Sequence, residues 1–139
     1  MKIKLFTVQE ANKLLPEVRR ILNGLRVCQI QAEQLEKEKA VEELSWLQPD
    51  GSVSSKAQAQ LSQLEEEQKR HAASFESGLE QMGRMGAQLK DLDQGLVDFL
   101  AGRGDERVCL CWKEGEESIR YWHDQQSGFA GRRPVEELG

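Results

Sequence analysis

The segment LLPEVRRILNGLRVCQIQAEQL, residues 14–35, sets the architecture of this chain, because its apolar residues repeat with the period of a long amphipathic helix. The stripe consists of Leu14, Val18, Ile21, Leu25, Cys28, Ala32 and Leu35. Its steps alternate between four and three residues, the spacing that lets one side of a helix face a partner helix. We predict a helix that follows a capping box at Thr7 and Glu10 and continues to about Leu47. Pro16 lacks an N–H donor, so we expect a bend there.

A second stripe with the same spacing follows a short turn, QPDGS, at Gln48–Ser52. It consists of Leu61, Leu64, Gln68, His71, Phe75, Gly78, Met82, Met85 and Leu89. A short turn between two long amphipathic helices predicts an antiparallel helical hairpin over residues 8–89. Two stripes that pack only on each other stay half exposed. We therefore expect coiled-coil-like self-association through the hairpin, with a homodimer as the simplest assembly.

After Lys90 the pattern changes to short runs with the composition of β-strands. The runs are GLVDF (95–99), RVCLCW (107–112) and SIRYW (118–122), and turn residues separate them. They predict a three-stranded antiparallel meander followed by a tail that returns across it. The predicted fold class is therefore α+β in a single domain, residues 1–139, with the hairpin at 8–89 and the sheet and tail at 90–139.

Strand alternation assigns the side chains of the predicted meander to two faces. One face receives Val97, Phe99, Val108, Leu110, Trp112, Ile119 and Tyr121. The other receives Leu96, Asp98, Cys109, Cys111, Arg120 and Trp122. Both faces are apolar enough to need cover. We expect one to pack on the helices and the other to lie under the tail or another subunit.

Charge and composition restrict the classes of partner. Residues 1–90 carry 13 basic and 13 acidic side chains, whereas residues 91–139 carry 6 and 11, so the net charge of −5 belongs to the C-terminal part. An acidic surface repels phosphate backbones, which disfavours nucleic acid as a partner. No apolar run approaches the length of a membrane span, and the N-terminus lacks the apolar stretch of a signal peptide. Three cysteines, an odd number, favour a reducing cytoplasm over a disulfide framework.

Three segments resemble a bacterial and archaeal family, the one catalogued as domain of unknown function twenty-two hundred and three. They are FTVQEANKLLPEVR (Phe6–Arg19), LKDLDQGLVDF (Leu89–Phe99) and the stretch from VCLCW through YWHDQQSGFAGRRP (Val108–Pro134). The resemblance implies a fold and a set of family-typical residues, but no reaction. Those residues are Leu92, Asp93, Gly95, Asp98, Trp112, Trp122, His123, Gly128, Phe129, Gly131 and Arg132.

His123 and the aspartates near the first strand form the first candidate site. The first and third strands of a meander run parallel, so Asp98 and His123 lie towards the same end of the sheet. Carboxylate and imidazole together suit a divalent metal such as zinc or manganese. Alternation, however, places Asp98 and His123 on opposite faces unless a bulge intervenes. The competing interpretation is a hydrogen bond that locks the sheet to the tail.

The tail motif SGFAGRRP, residues 127–134, is the second candidate. Its glycines allow backbone N–H groups to converge, and Arg132 or Arg133 could hold a carboxylate or phosphate. The competing interpretation is a tight turn in which Phe129 fills the core and Arg132 pairs with an acidic residue such as Asp93 or Asp98. Cys109 and Cys111 project from one side of a strand, and we interpret them as buried small residues rather than as a metal or redox pair.

The leading functional hypothesis is a cytoplasmic, self-associating interaction or structural module without a cofactor. The alternative is an enzyme that depends on a metal or binds a small anion. Its ligand-binding residues would be Asp93, Asp98, His123 and Arg132, with His123 and Asp98 as metal ligands. The sequence identifies neither a reaction nor a protein partner.

Overall fold

The computed structural model describes residues 3–46 and 48–138 and contains two long helices followed by an antiparallel sheet. Helix α1 spans Val8–Trp46 and helix α2 spans Ser55–Arg84. The five strands are β1 (Ala87–Asp91), β2 (Leu96–Arg103), β3 (Glu106–Lys113), β4 (Tyr121–Asp124) and β5 (Arg133–Pro134). Each strand pairs with its neighbour in chain order. The predicted α+β fold class is confirmed. The predicted helix end at Leu47 lies outside the described residues.

The chain divides into two compact units. The first contains residues up to Asn23 and from Leu79 onward, which include the start of α1, the end of α2, the sheet and the tail. The second, Gly24–Gly78, contains the remainder of both helices and the turn between them. Within the two described ranges, no helix has the length and apolarity needed to cross a membrane.

In the second unit, α1 and α2 form the predicted hairpin. The turn is closed by the Gln48 N–H, which donates to the Ser52 carbonyl at 2.8 Å. Leu25 and Leu35 are buried, whereas Leu61 and Phe75 are only half-buried. The hairpin therefore leaves part of its own apolar stripe accessible, as its sequence predicts.

The first turn of α1 has the predicted capping box. The Thr7 N–H donates to Glu10 Oε1 at 3.0 Å, and the Glu10 N–H donates to Thr7 Oγ1 at 3.1 Å. The helix continues through Pro16, and the expected bend there stays a prediction. Leu15 rather than Leu14 lies in the buried stripe, because two adjacent leucines satisfy a four–three pattern equally well.

One face of the sheet forms the core of the first unit with the start of α1. The Phe6 ring meets the Phe99 ring edge-on at a centroid distance of 5.3 Å. The Arg19 guanidinium lies 5.4 Å from the centroid of the Trp112 ring. The side-chain oxygen of Asn12 accepts a hydrogen bond of 2.7 Å from the Ile119 N–H. The core residues on this face of β2 and β3 are Val97, Phe99, Val108, Leu110 and Trp112.

The sheet has two more strands than the sequence predicts. The heptad spacing predicts that the second helix continues to Leu89, but the helix ends at Arg84 and Ala87–Asp91 forms strand β1. Gly86 follows with φ +88°, a left-handed conformation that terminates helices. Strand β5 has only two residues, too few for alternation to reveal. Its pairing with β4 confirms that the tail returns to the sheet.

The predicted side-chain faces are wrong for β4. Leu110 pairs with Trp122 and Cys111 pairs with Tyr121, so Trp122 lies on the core face and Tyr121 on the opposite one. The error arises from Ile119, which lies in the loop before β4. Its side chain is buried, but it does not belong to the strand. Continuing the alternation from Ile119 through Tyr121 therefore shifted every β4 side chain to the wrong face.

Gly86 provides a test of this chain path. A Cβ atom there would lie 2.7 Å from two atoms of the Phe6 ring, in addition to the strain of its positive φ. We expect Gly86→Ala to lower the free energy of unfolding by about 1–3 kcal/mol, as measured by urea denaturation. Gly24→Ala is the matched control, because Gly24 is helical with no atom within 4 Å of its built Cβ. That substitution should stabilise by up to about 1 kcal/mol, and equal effects at both glycines would contradict the packing described here.

Candidate functional site

A pocket of about 230 Å³ lies on the face of the sheet opposite the core. The sheet contributes Lys90, Leu96, Asp98, Cys109, Cys111 and His123 to its lining, and the tail contributes Gln125, Gln126, Gly128 and Phe129. The second face of the sheet therefore lies under the tail, which is one of the two covers that its apolar character predicts.

Three potential metal ligands meet at the base of this pocket, one from each of three adjacent strands. They are Asp98 on β2, Cys111 on β3 and His123 on β4, and all three are buried. Their ligand atoms lie within 4.8 Å of one another. Register explains the meeting: Asp98 pairs directly with Cys111, and His123 pairs with Cys109, two residues away on the same face of β3.

Asp98 and His123 are in direct contact, with His123 Nε2 3.0 Å from Asp98 Oδ2. The expectation that alternation separates them on opposite faces is therefore wrong. The cause is the β4 register described above, and no bulge in β4 is needed. The contact spans β3 and joins β2 to β4, so it ties the sheet together rather than joining the sheet to the tail.

The backbone fixes the orientation of the His123 ring. Its Nδ1 lies 2.6 Å from the Asp124 carbonyl oxygen, which can only accept, so Nδ1 carries a proton. Nε2 then points at the Asp98 carboxylate. Two lone-pair atoms at 3.0 Å repel each other unless a proton or a cation lies between them. The arrangement therefore needs one positive charge at this position.

The Asp124 carboxylate in turn holds the loop that follows β4. Its Oδ1 accepts the Gln126 N–H at 2.9 Å and the Ser127 N–H at 2.6 Å. The hydrogen bonds from Ser127 hold the pKa of Asp124 below its usual value. Because Asp124 is anchored in this way, its carbonyl gives the imidazole a fixed partner.

The environment of Cys111 keeps its thiol neutral. Burial, followed by the nearby charge of Asp98, raises the pKa of Cys111 to about 12. A thiolate at this position therefore requires a bound cation. The interpretation of Cys109 and Cys111 as buried residues on one side of a strand agrees with the structure. The place of Cys111 in the cluster was missed, although its position opposite Asp98 was the available signal.

Arg132 lies beside Cys111, where its positive charge opposes the rise in the pKa of the thiol, but its ion pair is with Glu116. Its Nη2 donates to Glu116 Oε1 at 2.6 Å and to the Cys111 carbonyl at 3.2 Å. Its guanidinium lies 4.2 Å from the centroid of the Tyr121 ring. The predicted pairing of Arg132 with an acidic residue is confirmed, but the partner is Glu116, from the loop between β3 and β4, rather than Asp93 or Asp98. The geometry supports a turn in SGFAGRRP, but Phe129 is 39% exposed, so the expectation that it fills the core is wrong.

Asp93 does not join the other candidate residues. It is exposed in the turn between β1 and β2 and lies outside the pocket lining. Of the four residues that the sequence nominates, the structure brings Asp98 and His123 together.

The contact between Arg132 and Glu116 predicts a measurable coupling. Both side chains are largely buried, at 14% and 20% exposure. A double-mutant cycle with Arg132→Ala and Glu116→Ala should give a coupling of about 1–2 kcal/mol in the free energy of unfolding. The exposed ion pair between Arg133 and Glu137 is the control, for which we expect less than about 1 kcal/mol. Equal coupling energies for the two pairs would contradict a stabilising contact between Arg132 and Glu116.

The raised pKa of Cys111 predicts a pH dependence of stability in the presence of a chelator. The unfolded thiol ionises near 9.0, whereas the folded thiol resists ionisation until about 12. The folded state therefore holds the proton more tightly, and this contribution to stability is complete below pH 9 and is lost as the pH rises towards 12. Denaturation at a series of pH values should show that the free energy of unfolding of the wild type falls over this range relative to that of Cys111→Val. The slope should correspond to about one proton released per molecule on unfolding. Parallel curves for the two proteins would contradict the buried, neutral thiol.

Comparison with known proteins identifies a family. A family model described as "Uncharacterized conserved protein (DUF2203)" matches residues 4–135, so the chain belongs to this family and the predicted resemblance is confirmed. No curated protein and no solved structure matches the chain.

Proposed function

We propose that this DUF2203 protein binds a divalent transition-metal ion, with zinc as the first candidate, through Asp98, Cys111 and His123. The observation that carries the proposal is the convergence of three different ligand types within 4.8 Å at the base of one pocket. In a tetrahedral zinc site, bond lengths of about 2.0–2.3 Å place the ligand atoms roughly 3.3–3.8 Å apart. The longest separation would have to contract by about 1 Å and the 3.0 Å contact between Asp98 and His123 would have to widen slightly, both within the reach of side-chain rotation.

The charges of the three ligands favour a divalent ion. An aspartate, a thiolate and a neutral imidazole carry two negative charges, which one divalent cation neutralises. A neutral assembly is far less costly to bury than separated ions. The same cation would supply the positive charge that the Nε2–Oδ2 contact of His123 and Asp98 requires.

The ligand types favour zinc over calcium or magnesium. Calcium and magnesium prefer oxygen ligands, whereas a thiolate and an imidazole suit zinc and related transition metals. The hydrogen bond from His123 Nδ1 to the Asp124 carbonyl is the kind of outer contact that orients a metal-binding histidine. Three strands supply the ligands, which favours a preorganised site.

Three protein ligands would leave one coordination position open towards the pocket. Catalytic zinc sites keep such a position for water or substrate, whereas structural sites fill it with a fourth protein ligand. This feature supports the enzymatic alternative over a purely structural metal. The pocket volume of about 230 Å³ would restrict a substrate to a small molecule. Arg132 contributes no ligand in this proposal, because Glu116 and the Cys111 carbonyl already bind it.

Cobalt substitution tests the proposal directly. Protein freed of metal with a chelator should bind one equivalent of Co²⁺, with the near-ultraviolet charge-transfer band of a cobalt–thiolate bond and the intense visible bands of tetrahedral cobalt. Cys111→Ala should abolish the charge-transfer band, and Asp98→Asn and His123→Gln should weaken binding by at least tenfold.

Cys109→Ala is the matched control for the cobalt experiment. Cys109 lies on the same strand and lines the same pocket, but it is outside the three-ligand cluster, so its substitution should leave the spectrum intact. Circular dichroism would establish that each variant is folded. Absence of stoichiometric binding, or a charge-transfer band that survives Cys111→Ala, would overturn the proposal.

A self-associating module in a reducing compartment remains a second proposal. The three cysteines are free thiols, which supports a reducing location such as the cytoplasm. The half-buried stripe of the hairpin supports self-association, and a more specific surface for it lies on the outer side of α1.

A further inference from the structure

We propose that a second copy of this chain packs antiparallel along an exposed aliphatic stripe of α1, formed by Val27, Ile30, Val41 and Leu44. These side chains are 51%, 55%, 70% and 83% exposed. Half of the exposed large hydrophobic residues in the described part of the chain thus lie on one helical segment. Single scattered apolar residues need no explanation, but two exposed aliphatic pairs on one side of the same helix, separated by polar residues, indicate an interaction surface. We refer to these four residues as the outer stripe.

The outer stripe lies on the side of α1 that faces away from α2. At 100° per residue, its four members fall within a sector of about 100°. Leu25, Leu35 and Trp46, which are buried, fall about half a turn away on the same helix. The outer stripe therefore cannot be covered by the hairpin to which it belongs.

The pattern of aliphatic and polar positions in the outer stripe is unchanged when the direction of the helix is reversed. Reversal about the midpoint between residues 35 and 36 exchanges Val27 with Leu44 and Ile30 with Val41. It also exchanges Gln34 with Lys37, the two polar residues at the middle of the stripe. A second copy related by a two-fold axis through this midpoint would therefore place aliphatic side chains against aliphatic side chains at both ends. Such self-complementarity is the requirement for a symmetric dimer interface.

The charges at the midpoint select the antiparallel arrangement. With two antiparallel copies, Lys37 of one chain lies level with Gln34 of the other and next to that chain's Glu33, while Glu38 lies level with Glu33 of the facing chain. With two parallel copies in register, Lys37 would face Lys37, which is destabilising. The same acidic residues flank the aliphatic side chains and disfavour a membrane surface as the occupant, because interfacial helices carry basic flanks.

The size of the outer stripe predicts a weak dimer. Residues 27–44 span about 25 Å of helix, and only four aliphatic side chains per chain would be covered. An interface of this size gives association that depends strongly on protein concentration. This inference uses only the second unit and is independent of the metal proposal.

Cysteine cross-linking tests both the surface and the direction of pairing. Ile30→Cys and Val41→Cys chains, each with Cys28→Ala to remove the half-exposed native thiol, would be oxidised separately and as a mixture. The antiparallel dimer predicts a disulfide between position 30 of one chain and position 41 of the other. Neither chain should cross-link with itself, because equal positions lie about 16 Å apart along the helix axis. Efficient cross-linking of position 30 with itself would overturn the antiparallel arrangement.

Sedimentation velocity over a range of protein concentrations supplies the second test. The wild type should shift towards a dimer as concentration rises, and Val41→Glu and Ile30→Glu should each weaken the association at least tenfold. Leu79→Glu is the matched control, because Leu79 is an exposed leucine on α2, outside the outer stripe. A wild type that stays monomeric up to millimolar concentration would refute the proposal, as would equal weakening by Leu79→Glu.

Discussion

The register of strand β3 is the constraint on which the rest of the first unit depends. Trp112 on one face of β3 is fully buried beside Phe99 and Leu110, while Cys111 on the other face points into the pocket. Side chains alternate with a period of two, so a slip of one residue would bring Trp112 into the pocket and Cys111 into the core. The large apolar surface of Trp112 makes that exchange unfavourable. Packing on the core face thus determines the chemistry of the pocket face.

The two strands that flank β3 place the other two members of the cluster beside Cys111. On one side, Asp98 of β2 is paired with Cys111, and on the other, His123 of β4 is paired with Cys109. The hydrogen bond of His123 to the Asp124 carbonyl then fixes which ring nitrogen faces Asp98. The positive charge required between Nε2 and Oδ2 is thus a consequence of backbone geometry, and a proton or a metal can supply it. The metal proposal differs from a simple ion pair in its use of the Cys111 thiol.

The helices of this protein are predicted well from the sequence, because the features that define them involve residues close to one another in the chain. The capping box at Thr7 and Glu10, the turn at Gln48–Ser52 and the spacing of Leu25 and Leu35 all depend on residues close in sequence. The central strands are likewise visible from composition. Strand β1 is not, because Leu89 satisfies a helical spacing and only the left-handed Gly86 separates the two states.

The site was harder to predict, because register depends on distant contacts. Asp98 and His123 were both recognised as candidates, but the loop before β4 determines whether they meet. The Ile119 N–H donates to the side chain of Asn12, more than a hundred residues earlier in the chain. Strand alternation alone cannot predict that contact. The partner of Arg132 is another such case, since Glu116 is brought to it by the same loop. Where a side chain's position is set by a tertiary contact, the sequence supplies candidates but not their arrangement.

X-ray absorption at the zinc edge, on protein loaded with one equivalent of zinc, tests the central claim most directly. The account predicts one sulfur neighbour at about 2.3 Å together with nitrogen and oxygen neighbours at about 2.0–2.2 Å in a four-coordinate shell. A shell of nitrogen and oxygen alone would place the metal elsewhere. That result would contradict the conclusion that Asp98, Cys111 and His123 act together.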